Sequence, residues 1–257
     1  MRTIVAGNWK MHKDRAEALA LIGVLKDVQV PTGVEVIIAP PFPFLAMAVE
    51  ELKGTSIRVA GQNCHEKAQG AFTGEVSAVM LASIGVTACI VGHSERRQYF
   101  GESDAIIGEK IQALLERGIT PIFCCGERKE ERMTGSHFDV VTEQMKGALR
   151  MFDNDALKKI VIAYEPVWAI GTGLTATAYQ AQEMHGHIRA LLHTHGASVA
   201  ETVPILYGGS CKPDNAAELF ANPDVNGGLI GGAALDAHQF SELIRIAGER
   251  ERSAAIR

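Results

Sequence analysis

A glutamate closes an apolar, strand-like run and precedes a loop that ends in two glycines, in the order IAYEPVWAIGTG over residues 162–173. An unpaired carboxylate is costly inside a buried strand, so Glu165 is expected to face a cleft where the strand ends. Gly171 and Gly173 give the loop enough backbone freedom to swing or to approach an anion closely. The segment predicts a catalytic base followed by its lid, although an ordinary strand-end glutamate before a turn would give the same pattern. The predicted lid comprises Pro166, Val167, Trp168, Ala169, Ile170, Gly171, Thr172 and Gly173.

Other strand-like runs also end in residues that could do chemistry. Asn8 and Lys10 follow the first run, His93 and Glu95 the fourth, Gly208, Gly209 and Ser210 the seventh, and Gly231 and Gly232 the eighth. Backbone amides at glycine turns can come within hydrogen-bonding distance of phosphate oxygens, and Ser210 can add a hydroxyl. Gly171 could close such a site from above. Together these residues offer a base, a cation, an imidazole and a phosphate site, unless the glycines only relieve crowding at turns.

Eight apolar runs must position these residues. They cover residues 3–9, 34–39, 57–61, 87–92, 119–125, 159–165, 203–208 and 227–231. Between them, apolar residues recur every three to four positions, as at Ile107, Ile111 and Leu114, which is typical of helices packed on one face. The 257 residues divide into eight units of about 32, the size of a strand and its crossover helix. The alternation predicts an α/β fold, a closed (β/α)8 barrel whose active site lies at the carboxyl ends of the strands.

A doubly wound sheet would also alternate strands and helices, and GTGLTA at residues 171–176 superficially fits a dinucleotide-binding pattern. That pattern must follow its strand directly, whereas residues 166–170 separate Glu165 from Gly171. We therefore expect no nicotinamide cofactor. Because the sequence has no composition break or linker, it predicts one domain over residues 1–257 with a frayed polar end at 249–257.

Charge and hydropathy narrow the class of protein. A formal net charge of -5 without long runs of Lys or Arg gives no support for binding nucleic acid or a membrane surface, and favours a small soluble partner. No apolar window is long enough for a transmembrane helix, and the first residues do not resemble a signal peptide. The protein is expected in the cytoplasm.

The cysteines and paired histidines give no indication of a metal site. Five cysteines without a C-x-x-C pair indicate reduced structural thiols. The pairs His185/His187 and His193/His195 have a spacing that points two rings to different faces of a helix. All four histidines are therefore expected to be solvated at the surface.

Four segments resemble the signature segments of the triosephosphate isomerase family. They are GNWKM at 7–11, VGHSERR at 91–97, AYEPVWAIGTG at 163–173 and LYGGS at 206–210. They occur in the family's order and span nearly the whole chain. The resemblance implies a cofactor-independent barrel that interconverts dihydroxyacetone phosphate and D-glyceraldehyde 3-phosphate in glycolysis and gluconeogenesis, normally as a homodimer.

The resemblance also implies roles for the matching residues. Glu165 would be the base and His93 the electrophile, while Lys10 and Asn8 would bind substrate. Glu95 would support the rim of the site. The residues after His93 look like the start of a helix, whose positive end would favour a neutral imidazole as hydrogen-bond donor.

A long loop with an apolar tip, residues 62–75, resembles the interlocking dimer loop of the family. By that resemblance Thr73 should reach toward a neighbouring subunit and steady its Asn8 and Lys10. A loop folded on its own barrel is the alternative. The chain departs from the family pattern at His12, Leu174 and Ala178-Tyr179, and the last departure is expected to loosen the start of a helix that commonly carries proline.

Three other functions remain open from the sequence. A related isomerase could act on a four-carbon ketose phosphate, because pocket length is not readable from the residues. A Schiff-base lyase would use Lys10 as its nucleophile. A non-catalytic barrel that binds a phosphosugar is the third alternative, and in it Glu165 would have no catalytic role.

Overall fold

The computed structural model describes residues 1–171 and 174–255 of the chain. Its eight strands are β1 Thr3–Asn8, β2 Val34–Ala39, β3 Ile57–Gly61, β4 Ala88–Val91, β5 Thr120–Cys125, β6 Val161–Tyr164, β7 Ile205–Tyr207 and β8 Gly227–Ile230. They pair in parallel in chain order, and β1 closes the ring on β8 with Ile4 opposite Gly227. Each strand lies within its predicted run. The (β/α)8 barrel is confirmed.

Helices follow the strands and surround the barrel. They are α1 Arg15–Leu25, α2 Leu45–Glu51, α3 Ala78–Ser83, α4 Ser94–Phe100, α5 Asp104–Leu115, α6 Lys129–Met133, α7 His137–Leu149, α8 Asn154–Leu157, α9 Ala178–His193, α10 Ala197–Thr202, α11 Pro213–Phe220 and α12 Ala237–Ala255. Short 3-10 turns cover Phe42–Phe44, Val167–Ala169 and Gly232–Leu235. Within the described ranges, no helix is both long and apolar enough to cross a membrane.

The strands are buried on both faces, which explains their nearly continuous apolar sequences. Alternate side chains such as Ile4, Ile90 and Leu206 fill the inside of the barrel. Their neighbours along the strands pack outward against the helices in a second and larger cluster. All five cysteines are buried and free. This rigid double packing fixes the positions at which the strands end.

The polar segment at 249–257 was predicted to be frayed, but α12 continues as a helix through Ala255. Arg250 Nη1 donates a 2.7 Å hydrogen bond to the hydroxyl of Thr3, which in turn donates to the carboxylate of Glu251. Thr3 is fully buried at the start of β1, so these polar side chains satisfy its hydroxyl. Residues 256 and 257 lie outside the described residues.

The predicted loosening of the α9 start is wrong. Thr177 caps the helix by accepting a hydrogen bond from the backbone N–H of Gln180, and the Gln180 side chain accepts one from the backbone N–H of Thr177. This reciprocal pair satisfies two amide groups that a helix start otherwise leaves free. A capping box therefore replaces the missing proline.

The prediction of surface histidines is wrong for His185, which is fully buried on the inner face of α9. Its Nδ1 lies 3.1 Å from the backbone oxygen of Asp224, and its ring meets Tyr164 edge-on with centroids 5.7 Å apart. His187, two residues on, is half-buried with Nε2 2.8 Å from the Thr142 hydroxyl. The pair does point to different faces, but one of those faces packs on the barrel.

His193 and His195 are exposed, as predicted. They lie beyond the stretch of α9 that packs inward, at its last residue and in the following turn. Surface position thus depends on where the helix meets the barrel, which spacing alone does not show.

His185 is expected to make stability depend on pH. Burial lowers its pKa from 6.5 to about 4. Between these values the unfolded chain binds a proton that the folded chain does not, so the free energy of unfolding falls as pH falls from about 6.5 to about 4, by up to about 3 kcal/mol. Urea unfolding of the parent and of His185→Gln across this window measures the contribution.

The His185→Gln variant should lose this part of the pH slope. His193→Gln, which removes an exposed histidine from the same helix, is the matched control. Equal slopes for the parent and His185→Gln would show that the buried ring does not carry the effect.

Candidate active site

The carboxyl ends of the strands surround a cavity of about 500 Å³. It is lined by seven of the predicted catalytic and substrate-binding residues, Asn8, Lys10, His93, Gly171, Ser210, Gly231 and Gly232, and by Ala169 and Ile170 of the predicted lid. Side chains that the sequence reasoning did not select also line it, among them His12, Lys212, Leu229, Leu235 and Gln239. Glu165, Glu95 and Thr73 are not among its lining residues.

The backbone at Lys10 is held in an unusual conformation. Its φ is +51°, in the left-handed region that non-glycine residues seldom adopt. Its N–H donates to Asn8 Oδ1 at 3.0 Å, and its carbonyl accepts from Gln62 Nε2 at 2.8 Å. The ammonium group forms an ion pair with Glu95 Oε1 at 2.5 Å. Asn8 and Glu95 therefore fix the backbone and the charge of Lys10 at the rim.

His93 caps the N-terminus of α4. Its Nδ1 accepts a hydrogen bond from the backbone N–H of Glu95 at 3.2 Å. An imidazole that accepts at Nδ1 carries its hydrogen on Nε2 when neutral. Since His93 lines the cavity, this arrangement makes Nε2 a hydrogen-bond donor beside it.

The carboxylate of Glu165 is almost fully buried and is bound by Ser94. The backbone N–H and the hydroxyl of Ser94 each donate to it at 2.9 Å, at the positive end of α4. His93 Nε2 lies 3.1 Å from Glu165 Oε1. Two donors on one residue thus satisfy a carboxylate that burial would otherwise penalise.

Glu165 does face a cleft, but not the one that holds Lys10. It lines a neighbouring cavity of about 410 Å³ together with Ser94 and Cys125. The Glu165 side chain stands between the two cavities, beside His93. In this orientation both of its oxygen atoms are bound by Ser94. The sequence reasoning missed Ser94, although it occupies the first position of the helix predicted after His93.

The glycine turns differ in what they require. A Cβ on Gly209 would lie 2.3 Å from the Tyr207 hydroxyl and 2.8 Å from Pro166, so crowding alone demands glycine there. A Cβ on Gly232 would meet nothing within 4 Å, and one on Gly231 would approach only Lys10, at 3.7 Å. Relief of crowding therefore explains Gly209 but not the pair after β8, which leaves its backbone open to the cavity.

The loop after β7 is tied to the start of α11 by Asn215. Its Nδ2 donates to the backbone oxygen of Ser210 at 3.1 Å, and its Oδ1 accepts from the backbone N–H of Lys212 at 2.8 Å. Because Asn215 belongs to α11, both hydrogen bonds attach the loop that lines the cavity to a helix that packs on the barrel.

The predicted lid begins at Pro166 with the 3-10 turn Val167–Ala169. The Trp168 indole donates to Glu127 Oε1 at 2.8 Å, and the Tyr164 hydroxyl donates to the same oxygen at 3.0 Å. Gly171 has φ +69°, the left-handed conformation. Thr172 and Gly173, the last two predicted lid residues, lie outside the described residues.

Glu127 is a residue that the sequence reasoning missed. It is fully buried, and burial raises the pKa of its carboxyl group. Its backbone oxygen also accepts from the N–H of Val167 at 3.0 Å, so Glu127 binds the first turn of the predicted lid through both its side chain and its backbone. The sequence did contain an indication of this role, because Glu127 comes two residues after the end of β5 and Glu165 directly after the end of β6.

Replacing Glu127 with alanine is expected to lower kcat about 10- to 100-fold. The change removes the oxygen that Trp168 and Tyr164 share, so the first turn of the lid loses its anchor. The loss of a buried acceptor should also cost about 1–3 kcal/mol of unfolding free energy. Glu130→Ala, which removes an exposed carboxylate three residues away, serves as the control. Lower stability with an unchanged kcat would limit Glu127 to a structural role.

Residues 67–75 of the predicted dimer loop are exposed, Thr73 included. The loop closes on itself, since His65 N–H donates to the Val76 carbonyl at 2.8 Å and the rings of His65 and Phe72 lie 4.2 Å apart. Phe72 remains 44% exposed at the tip. The tip is therefore exposed, while Lys67 at its start forms an ion pair with Glu109 of α5 at 2.9 Å.

The described residues include no group of three or more His, Cys, Asp or Glu side chains placed to hold a metal ion. The two cavities are separated by a buried carboxylate, an imidazole that donates at Nε2 lies beside it, and an ammonium group stands at the rim. Such a set can remove a proton from a carbon atom and stabilise the negative charge that then develops on a neighbouring oxygen.

Comparison with known proteins agrees with this chemistry. The family model described as Triosephosphate isomerase matches residues 3–247. A protein of Flavobacterium johnsoniae named "Triosephosphate isomerase" is 50% identical over 245 residues, which cover 95% of this chain and 98% of that protein. A protein of the same name from Porphyromonas gingivalis is 51% identical over 246 residues, with 95% and 98% covered. One from Pseudomonas putida is 48% identical over 248 residues, with 96% and 99% covered.

Proposed function

Because the chain belongs to the triosephosphate isomerase family and interconverts dihydroxyacetone phosphate and D-glyceraldehyde 3-phosphate, we propose that Glu165, His93 and Lys10 carry this reaction. The observation that supports the proposal most strongly is their convergence at one place. Glu165 Oε1 lies 3.1 Å from His93 Nε2, and His93 and Lys10 line the same cavity. The reaction belongs to glycolysis and gluconeogenesis.

In the proposed mechanism Glu165 is the base. Its carboxylate leaves Ser94, removes a proton from the carbon atom next to the carbonyl group, and returns it to the adjacent carbon. The same group can do both because a glutamic acid shielded from water can give back the proton that it has accepted. The two Ser94 hydrogen bonds hold the carboxylate ready beside the cavity in the meantime.

His93 and Lys10 are proposed to stabilise the enediolate that forms when the proton leaves. Negative charge then develops on the former carbonyl oxygen, and donors placed in advance lower the energy of that state. The Nε2 donor of His93 and the ammonium group of Lys10 supply them. Asn8 and Glu95 act on Lys10, the first through its backbone N–H and the second through its charge.

The phosphate is proposed to bind to backbone amides of Gly171, Ser210, Gly231 and Gly232. All four residues line the cavity, and Ser210 is anchored by Asn215. The lid, through Gly171, would then exclude water from the enediolate. Exclusion of water and a fixed phosphate should suppress the side reaction in which the intermediate expels its phosphate.

Steady-state isomerisation of D-glyceraldehyde 3-phosphate, with a four-carbon ketose phosphate beside it, tests the substrate assignment. Rapid turnover of the triose and poor turnover of the longer sugar is the expected result. The reverse preference would keep the mechanism but change the substrate. Borohydride trapping of substrate on Lys10 would support the lyase instead, and failure of both substrates in folded protein would leave a binding protein.

The active protein is proposed to be a homodimer in which Thr73 of one subunit reaches the neighbouring active site. The exposed loop tip supports this, as do exposed apolar side chains within the first hundred residues: Met11, Phe72, Met80, Tyr99 and Phe100. Large apolar side chains exposed in one patch are typical of subunit contacts, and a dimer would bury those of the loop tip. Sedimentation at assay concentration should give a dimer, and a fully active monomer would contradict the proposal.

We further propose that residues 1–257 form one domain and that the enzyme acts in the cytoplasm with a small phosphorylated triose and without nucleic acid or a membrane. The closed barrel and the net charge of -5 support these statements. Fractionation of cells that express the tagged chain tests the location.

A further inference from the structure

No Asp or Glu is among the described residues that line the active-site cavity, although the protein as a whole has a negative net charge. The formal net charge is -5, with 30 acidic and 25 basic residues. Of the described residues that line the cavity, none is aspartate or glutamate. A triose phosphate carries close to two negative charges at neutral pH, so the protein as a whole repels it and only local positive charge attracts it.

Two of the candidate cations at the cavity, Lys10 and His93, already have partners. The ammonium group of Lys10 forms its ion pair with Glu95 at 2.5 Å. His93 accepts a hydrogen bond at Nδ1, which requires that nitrogen to be unprotonated. Neither residue therefore offers a full free positive charge to an approaching phosphate.

Lys212 differs from both. It lines the cavity two residues after Ser210, and its side chain is exposed. Within the described part of the chain its ammonium group forms no ion pair, since none of the salt bridges includes it. It is thus an uncompensated lysine at the mouth of the proposed phosphate site.

The backbone of Lys212 is also fixed in place. Its N–H donates to Asn215 Oδ1, and the same asparagine binds the carbonyl of Ser210. Pro213 follows as the first residue of α11. The lysine side chain therefore starts from a fixed backbone position at the cavity.

We propose that Lys212 is a specificity-determining residue that favours substrates carrying a phosphate dianion over phosphate-free aldoses. The inference rests on the proposed function of this site. Its charge raises the local concentration of the anion and the rate of productive binding. It takes no part in the proton transfer, so kcat should depend on it little.

The experiment compares Lys212→Met, Lys212→Arg and the parent on D-glyceraldehyde 3-phosphate and on D-glyceraldehyde, which lacks the phosphate. Lys159→Met is the matched control, because Lys159 is exposed just before β6 at the opposite end of the barrel and its loss changes the net charge equally. Assays at pH 8 keep histidine charge out of the comparison. Every combination of enzyme and substrate is assayed at low and at high KCl concentration.

For Lys212→Met we expect kcat/KM on the phosphate ester to fall roughly three- to tenfold at low salt. The fall should shrink at high salt because mobile ions screen the charge. Turnover of D-glyceraldehyde should not change, Lys212→Arg should keep the parental values, and Lys159→Met should match the parent.

An equal fall on both substrates would overturn the proposal, because it would indicate damage to the loop rather than loss of charge. Unchanged kcat/KM on the phosphate ester would overturn it as well. Failure of the parent itself on D-glyceraldehyde 3-phosphate would instead refute the proposed function, so the two failures are distinguishable.

Discussion

Glu165→Gln is expected to lower kcat on D-glyceraldehyde 3-phosphate by about a thousandfold, with little change in KM. An amide cannot accept the proton that a carboxylate accepts, while its size is nearly the same. Its side-chain oxygen can still accept a hydrogen bond from Ser94, so the fold around the site should persist. Steady-state kinetics of the variant and the parent measure the effect.

Two comparisons sharpen this result. Glu143→Gln makes the same chemical change at an exposed position of α7 and should leave kcat unchanged. Equal losses in kcat/KM and kcat would place the contribution of Glu165 in the transition state. A Glu165→Gln enzyme that keeps a tenth or more of its parental kcat would exclude Glu165 as the base.

Gly171→Pro is expected to lower kcat about a hundredfold or more and to raise the share of substrate lost to phosphate elimination. Gly171 has φ +69°, whereas proline is restricted to about -65°, so the lid cannot keep its conformation. Proline also lacks the N–H that we propose as a phosphate donor. The ratio of isomerised product to the elimination product, followed by proton NMR, measures both effects.

Gly171→Ala separates the two causes, because alanine keeps the N–H and only disfavours the left-handed conformation, by about 1 kcal/mol. Its loss should be much smaller. Gly54→Pro places proline at another positive φ, +80°, before β3 and far from the site, and controls for general damage to the barrel. If Gly171→Pro left the product ratio unchanged, the lid would have no part in suppressing elimination.

The barrel could be predicted because its strands are buried on both faces. Double burial produces short, nearly continuous apolar runs, and these are visible without any knowledge of the partner strands. The place of the candidate active site followed from the same observation, since Lys10, His93 and Glu165 come where such runs end. Ser210 and Gly231 followed for the same reason, and all five lie at one end of the barrel.

The interactions between these strand ends were not predictable. The contact of Ser94 with Glu165 joins residues that follow β4 and β6, and the contact of Glu127 with Trp168 joins residues that follow β5 and β6. Such contacts depend on side-chain rotamers and on which loops meet, neither of which has a local sequence pattern. His185 was misplaced for a related reason, because its depth is set by how far α9 is rotated against the barrel.

The pairing of β1 with β8, which closes the barrel, affects how the chain folds during synthesis. Ile4 and Gly227 pair across it although some two hundred residues separate them, and a Cβ at Gly227 would lie 2.0 Å from the Ile4 carbonyl oxygen. During synthesis on the ribosome, the first strand therefore emerges long before its final neighbour exists. Until β8 arrives, β1 has an open edge that can pair with other nascent chains. Substitutions at Gly227 should accordingly reduce soluble yield more than they reduce the activity of the molecules that do fold.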